Sequence, residues 1–135
     1  MNETLLEEVP SLIRRLKERR SKMDSDDYHK YVSAKLGDAL SLKTIQGHAF
    51  HKPHGYAGDY EIIDKIYTKW LSPELELQVY DKYFHKQEAP KAVRNRKKYF
   101  IDIVRSLAVG KSHTAVLNIG SGPGRDMLEY FLLQA

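Results

Sequence analysis

Val116-Leu117-Asn118-Ile119-Gly120-Ser121-Gly122-Pro123-Gly124 is the stretch on which the reading of the fold turns. It overlaps the run 114–119, TAVLNI, which is short, apolar and bounded by turn signals. Such a run reads as a buried parallel strand. Its glycines fall as G-x-G-x-G, and Gly120 to Gly124 reads as a tight turn, because glycine turns sharply and lets backbone approach a ligand. From Arg125 to Ala135 the pattern is helical, with Met127, Leu128, Phe131 and Leu132 on one face. A strand, a glycine loop and a helix in succession point free N–H groups at the carboxyl edge of a sheet, where α/β folds bind ligands.

Upstream the chain reads as helices. Leu5, Leu6, Val9, Leu12, Ile13 and Leu16 recur at helical spacing, and Pro10 marks a start or a kink. The run Asp24-Ser25-Asp26-Asp27 ends that helix and caps a second one, which carries Tyr28 to Leu42 with Gly37 as its weak point. Residues 47–59, GHAFHKPHGYAGD, hold three glycines, a proline and three histidines, a composition that predicts an ordered loop. Asp59 caps a helix from Tyr60 to Trp70. Ser72-Pro73-Glu74 opens another, running to about His85. Pro90 opens the next, which carries Val93, Tyr99, Phe100, Ile103, Val104 and Leu107 and stops near Gly110.

Composition narrows the classes. The 135 residues are 41% hydrophobic and 30% charged, which argues for a folded chain with one core. There is no cysteine, so disulfides and thiolate metal sites are excluded. The net charge of +4 is spread among acids, and its densest cluster, Arg14 to Lys22, reads as a solvated helix face, so no nucleic-acid partner is expected. No segment has the length of a membrane span and no signal peptide is evident, so a cytoplasmic location is expected. His48, His51 and His54 fall three apart, but no acidic or sulfur ligand completes a known spacing, and no metal is expected.

The glycine spacing separates the cofactor classes. The dinucleotide fingerprint G-x-G-x-x-G is not met, and bulky Arg125 follows Gly124. The stretch instead resembles motif I of class I S-adenosylmethionine (SAM)-dependent methyltransferases. It departs at Asn118, where many members carry an acid. Three pieces, KPHGYAGDYEIID (Lys52 to Asp64), AVRNR (Ala92 to Arg96) and VLNIGSGPGRD (Val116 to Asp126), look like a bacterial methyltransferase group connected with the extracellular factor 3-hydroxypalmitic acid methyl ester.

That resemblance implies a helical N-terminal cap over residues 1–110. The start of a Rossmann-like α/β methyltransferase domain would follow over 111–135: first strand, glycine loop and first helix. It implies SAM as cofactor, held by Asn118, Gly120, Ser121, Gly122, Pro123, Gly124, Asp126, Tyr56 and Arg96. Tyr60, Asp59 and Arg94 would touch a small-molecule acceptor such as a fatty-acid carboxylate. Such an acceptor is already ionised near neutral pH, so an arginine to position it would replace a general base. No catalytic residue is assigned. Asp59 reads equally well as a plain helix cap, and Arg94 and Arg96 as surface ion-pair formers. A Rossmann-like domain needs more strands than this chain contains, so the chain reads as an N-terminal fragment, inactive alone and prone to self-association through its incomplete sheet. The alternative is a non-enzymatic helical interaction module, in which the tail strand only docks on a partner, or a truncated product with no activity of its own.

Overall fold

The computed structural model describes residues 3–132, with side chains from Glu8 onward, and every regular element in it is helical. In chain order these are α1 (Glu3–Arg20), α2 (Ser25–Leu36), a 3-10 turn (Gly37–Leu40), α3 (Ile45–His51), α4 (Tyr60–Thr68), α5 (Gln78–His85), α6 (Glu88–Ala108) and α7 (Arg125–Leu132). Their starts follow the local chemistry. Asp24 Oδ1 accepts from the N–H groups of Asp26 and Asp27, both at 3.0 Å, and so caps α2. Asp59 Oδ1 does the same for α4, from Glu61 at 2.9 Å and Ile62 at 3.0 Å. Gly37, at φ 48°, ends α2 in a conformation that suits glycine.

The core lies where α3, α4, α5 and α6 meet. Ile45, Ile62 and Ile66 are buried together, with Trp70, Phe84 and Val93 packed against them. Ile62 and Ile66 stand four apart, so one face of α4 enters the core. Burial of each isoleucine contributes about 1.5–3 kcal/mol. A polar tie runs through the same region: buried Asp81 on α5 accepts from Ile45 N–H at 2.9 Å and Ser72 N–H at 2.7 Å. It thereby joins the start of α3 to the chain entering α5. α1 packs on α5, with Val9 and Leu16 buried. At the other end, Tyr130 of α7 packs against Ile101 and Val104 of α6.

Four boundaries differ from the sequence reading. The helix expected to carry Tyr28 to Leu42 ends at Leu36, where Gly37 breaks it and a 3-10 turn follows. Residues 45–51 form α3 where a loop was expected over 47–59, because Thr44 caps the helix through Gly47 N–H at 3.0 Å. The element expected from Ser72 begins only at Gln78. Ser72 is committed elsewhere: its N–H goes to Asp81, and its hydroxyl accepts from Glu74 N–H at 3.2 Å. Pro10 sits inside α1 rather than opening it. The side chains of Leu5 and Leu6, and the last residues of the helix expected to reach Ala135, lie outside the described residues.

The largest correction concerns 114–119. Among the described residues there is no strand and no sheet, and TAVLNI joins α6 to α7 as irregular chain. The physical reason is pairing. A parallel strand exists only through ladder bonds to neighbours, and a buried one needs layers on both faces. Among the described residues no second strand is present to supply either. The Rossmann-like reading is therefore overturned, and the expectations built on it fall with it. The structure supplies no sheet edge on which Asn118, Gly120 to Gly124 and Asp126 could hold SAM, and no transferase framework. It supplies no incomplete sheet through which copies could associate. The methyltransferase resemblance is not supported by the fold.

Candidate functional site

Two places in the molecule gather chemistry-bearing side chains. The first is an open cleft of about 730 Å³ between the start of α4, the middle of α6 and the turn before α7. Tyr56, Tyr60, Tyr67 and Phe100 give it an aromatic wall, and Arg96 reaches it from α6. Asn118, Gly120, Ser121, Gly122, Pro123 and Asp126 line the facing side. The turn itself is held by Gly124 N–H to Ser121 C=O at 3.0 Å. Gly120, Gly122 and Gly124 all take positive φ, and a Cβ at any of them would meet nothing within 4 Å. These glycines thus serve backbone conformation rather than close packing. The Asn118 amide nitrogen is buried with no hydrogen-bond partner.

Three sequence-singled residues do not line this cleft. Gly124 closes the turn without lining the cleft. Arg94 turns to the end of α5, where it donates to His85 C=O at 2.8 Å, and so holds a helix C-terminus rather than an incoming carboxylate. Asp59 is wholly buried and belongs to the second place.

α7 is fastened beside the cleft by charge. Arg125 pairs with Asp64 of α4 through two hydrogen bonds, one of them at 2.9 Å. Lys97 of α6 reaches both carboxylate oxygens of Glu129, at 2.5 and 2.7 Å, and lies over the Tyr67 ring.

The second place is a polar cluster at the junction of α3 and α4. His48 and Asp59 are both buried, and His48 Nε2 lies 2.8 Å from Asp59 Oδ2. Lys65 Nζ stands 3.4 Å from His48 Nδ1. An ammonium can only donate, so Nδ1 accepts and Nε2 carries the proton that Asp59 receives. Glu61 Oε1 lies 2.8 Å from Lys65, and Glu61 Oε2 lies 3.1 Å from His54 Nε2. Burial would raise the Asp59 pKa. The Ile62 N–H, His48 and the Glu61 N–H outweigh it and hold the carboxyl below its ordinary value of 3.8. Glu61 is likewise held low, by Lys65 first and by His54.

The sequence reading missed this cluster. The signal was local: Ile45, His48 and Ala49 fall at helical spacing, which places His48 on the buried face of α3. The separation of His48 from Asp59 is tertiary.

A third feature is apolar surface. Most of the exposed large apolar side chains lie from Tyr99 onward, among them Leu107, Val109, Leu117, Ile119, Phe131 and Leu132. Along the segment before the glycine turn, exposure alternates: Val116 is 39% exposed, Leu117 86% and Ile119 85%, while Asn118 is turned inward.

No protein-family model matches this chain, and neither a curated protein nor a solved structure resembles it significantly.

Proposed function

We propose that this chain is a non-enzymatic helical interaction module that docks on a protein partner through segment 114–119. The observation that carries this is the alternating exposure of Val116 to Ile119 on a segment without a backbone partner. Among the described residues, none of the backbone groups of 114–119 is hydrogen-bonded to another backbone group. Leu117 and Ile119 are strongly exposed, Val116 less so, and Asn118 is turned inward, an alternation with the period of a strand. A partner that offers a sheet edge would supply the missing hydrogen bonds and cover the two outward side chains. Each side chain covered contributes about 1.5–3 kcal/mol. The neighbouring exposed side chains Phe131 and Leu132 extend the apolar surface available to such a partner. The helices α4, α6 and α7, joined by the Arg125–Asp64 and Lys97–Glu129 pairs, form a packed platform next to the segment.

A photo-crosslinking residue at position 117 tests this, with the same residue at Leu75, 73% exposed on another part of the surface, as control. Position 117 is expected to give one discrete protein adduct that position 75 does not give and that Ile119→Asp abolishes. In the purified complex, amides 114–119 become protected from hydrogen exchange. Equal adducts from both positions, or unchanged exchange in the complex, would overturn the reading.

A further inference from the structure

The geometry points to a divalent transition-metal site built from His48, Asp59 and His54. One ligand atom from each of the three lies within 4.8 Å of the other two. Two of them are already in place. His48 Nε2 and Asp59 Oδ2 are 2.8 Å apart and buried, whereas ligands around a tetrahedral zinc ion, bound at about 2.0–2.2 Å, stand about 3.3 Å apart. A small opening of this pair therefore admits the ion. Asp59 is held in register for the purpose, because its Oδ1 is committed to the N–H groups of Glu61 and Ile62, leaving Oδ2 aimed at His48.

His54 supplies the third ligand from the loop between α3 and α4. Its side chain is 35% exposed, so an ion can enter from solvent on that side. Coordination through His48 Nε2 moves the ring proton to Nδ1, so Lys65, 3.4 Å from that nitrogen, must give up this contact and turn wholly to Glu61, whose Oε1 lies 3.7 Å from Nδ1 and takes its proton in a hydrogen bond. Glu61 also lies 3.1 Å from His54 Nε2, so one carboxylate neighbours both imidazoles, and it backs His54 where that ring ligates through Nδ1. Lys65 stands on the Nδ1 side of His48, where its charge is matched by Glu61 and lies away from the Nε2 position. Two imidazoles and one carboxylate suit zinc among the common divalent ions, and three protein ligands leave a fourth position for water or a further ligand. His51 is not part of the site; its ring packs against Phe50.

Zinc titrated calorimetrically into the full chain, with thermal denaturation in parallel, tests the assignment. The wild type is expected to bind one equivalent of zinc with a micromolar or tighter Kd and to gain Tm on binding, since the ion binds only the folded state. His54→Ala, at a half-exposed loop position that leaves the His48–Asp59 pair intact, should weaken binding at least tenfold and remove the Tm gain. His51→Ala should change neither. Absence of saturable binding would overturn the site. So would binding unaffected by His54→Ala, or equal loss in His54→Ala and His51→Ala.

Discussion

The junction of α3, α4 and α5 and the segment 112–124 obey opposite rules. At the junction, polar groups are inside and, Gln46 Oε1 apart, they are answered: Asp81 takes two backbone N–H groups, Asp59 takes two more and His48, and Thr44 donates its hydroxyl to Ala39 C=O at 2.7 Å. In the segment, apolar side chains are outside, and the backbone groups of 114–119 lack backbone partners. A buried polar group left unmade costs about 1–3 kcal/mol, so the first arrangement admits few alternatives. The second leaves its groups to solvent or to a partner. The chain thus stores its stability at the junction and keeps a surface to offer in the segment.

The largest effect is expected at Gly47. A Cβ there would lie 1.8 Å from Ser41 C=O, against backbone that cannot step aside. Gly47→Ala is therefore expected to destabilise the fold by at least about 3 kcal/mol, measured by urea denaturation. Gly58→Ala is the matched control. A Cβ there meets nothing within 4 Å and Gly58 has no positive φ, so its stability should stay within about 0.5 kcal/mol of wild type. Similar losses in the two variants would mean that the close approach of α3 to the Ser41 turn is not present in solution.

A smaller effect is expected at Asp59, where charge rather than space is removed. Asparagine can still cap α4, but its amide then turns N–H donors toward His48 Nε2–H, and the other tautomer would face the Lys65 ammonium. Asp59→Asn should cost about 1–3 kcal/mol at neutral pH. The sign of the pH dependence follows from the lowered pKa. The contribution of the ionised carboxylate is fully present above the unfolded value of 3.8 and is lost as pH falls through the lower folded value. The gap in stability between wild type and Asp59→Asn should hold from neutral pH down to about that value and shrink below it. A gap that stays constant down to the acid limb would show that Asp59 acts through its hydrogen bonds alone.

The same contrast explains what could be read in advance. Asp24 and Asp59 as caps, the amphipathic α6 and the start of α7 were legible because helix signals are local: a cap acts within three residues and a face repeats within four. α3 was obscured by Gly47 and the histidines, which read as loop. Glycine there answers a contact with Ser41 six residues back, and His48 answers Asp59 eleven residues ahead. The run 114–119 was misread for the converse reason. Its apolar composition is that of a strand, but a strand is a property of pairs, and composition cannot say whether a neighbour exists. Tyr56, Tyr60, Arg96, Asn118 and the glycine turn were singled out individually and do converge on one cleft. Arg94, two residues from Arg96, points instead to His85, a choice set by where α5 ends.

The smallest expected effect lies in the segment itself. Leu117 and Ile119 are almost fully exposed, so replacing either by aspartate removes little buried area and strands no polar group. Leu117→Asp and Ile119→Asp should each leave stability within about 0.5 kcal/mol of wild type, and the double variant should behave as their sum, since neither side chain shares a buried partner with the other. Denaturant midpoints and slopes for the isolated chain check this. A loss of more than about 1.5 kcal/mol would mean that the segment is already covered in solution by the chain itself. The surface offered to a partner would then be closed and the two regions would obey one rule. Unchanged stability alongside lost crosslinking to a partner separates folding from docking, because the same substitution then leaves the helical platform intact and removes only what that platform presents.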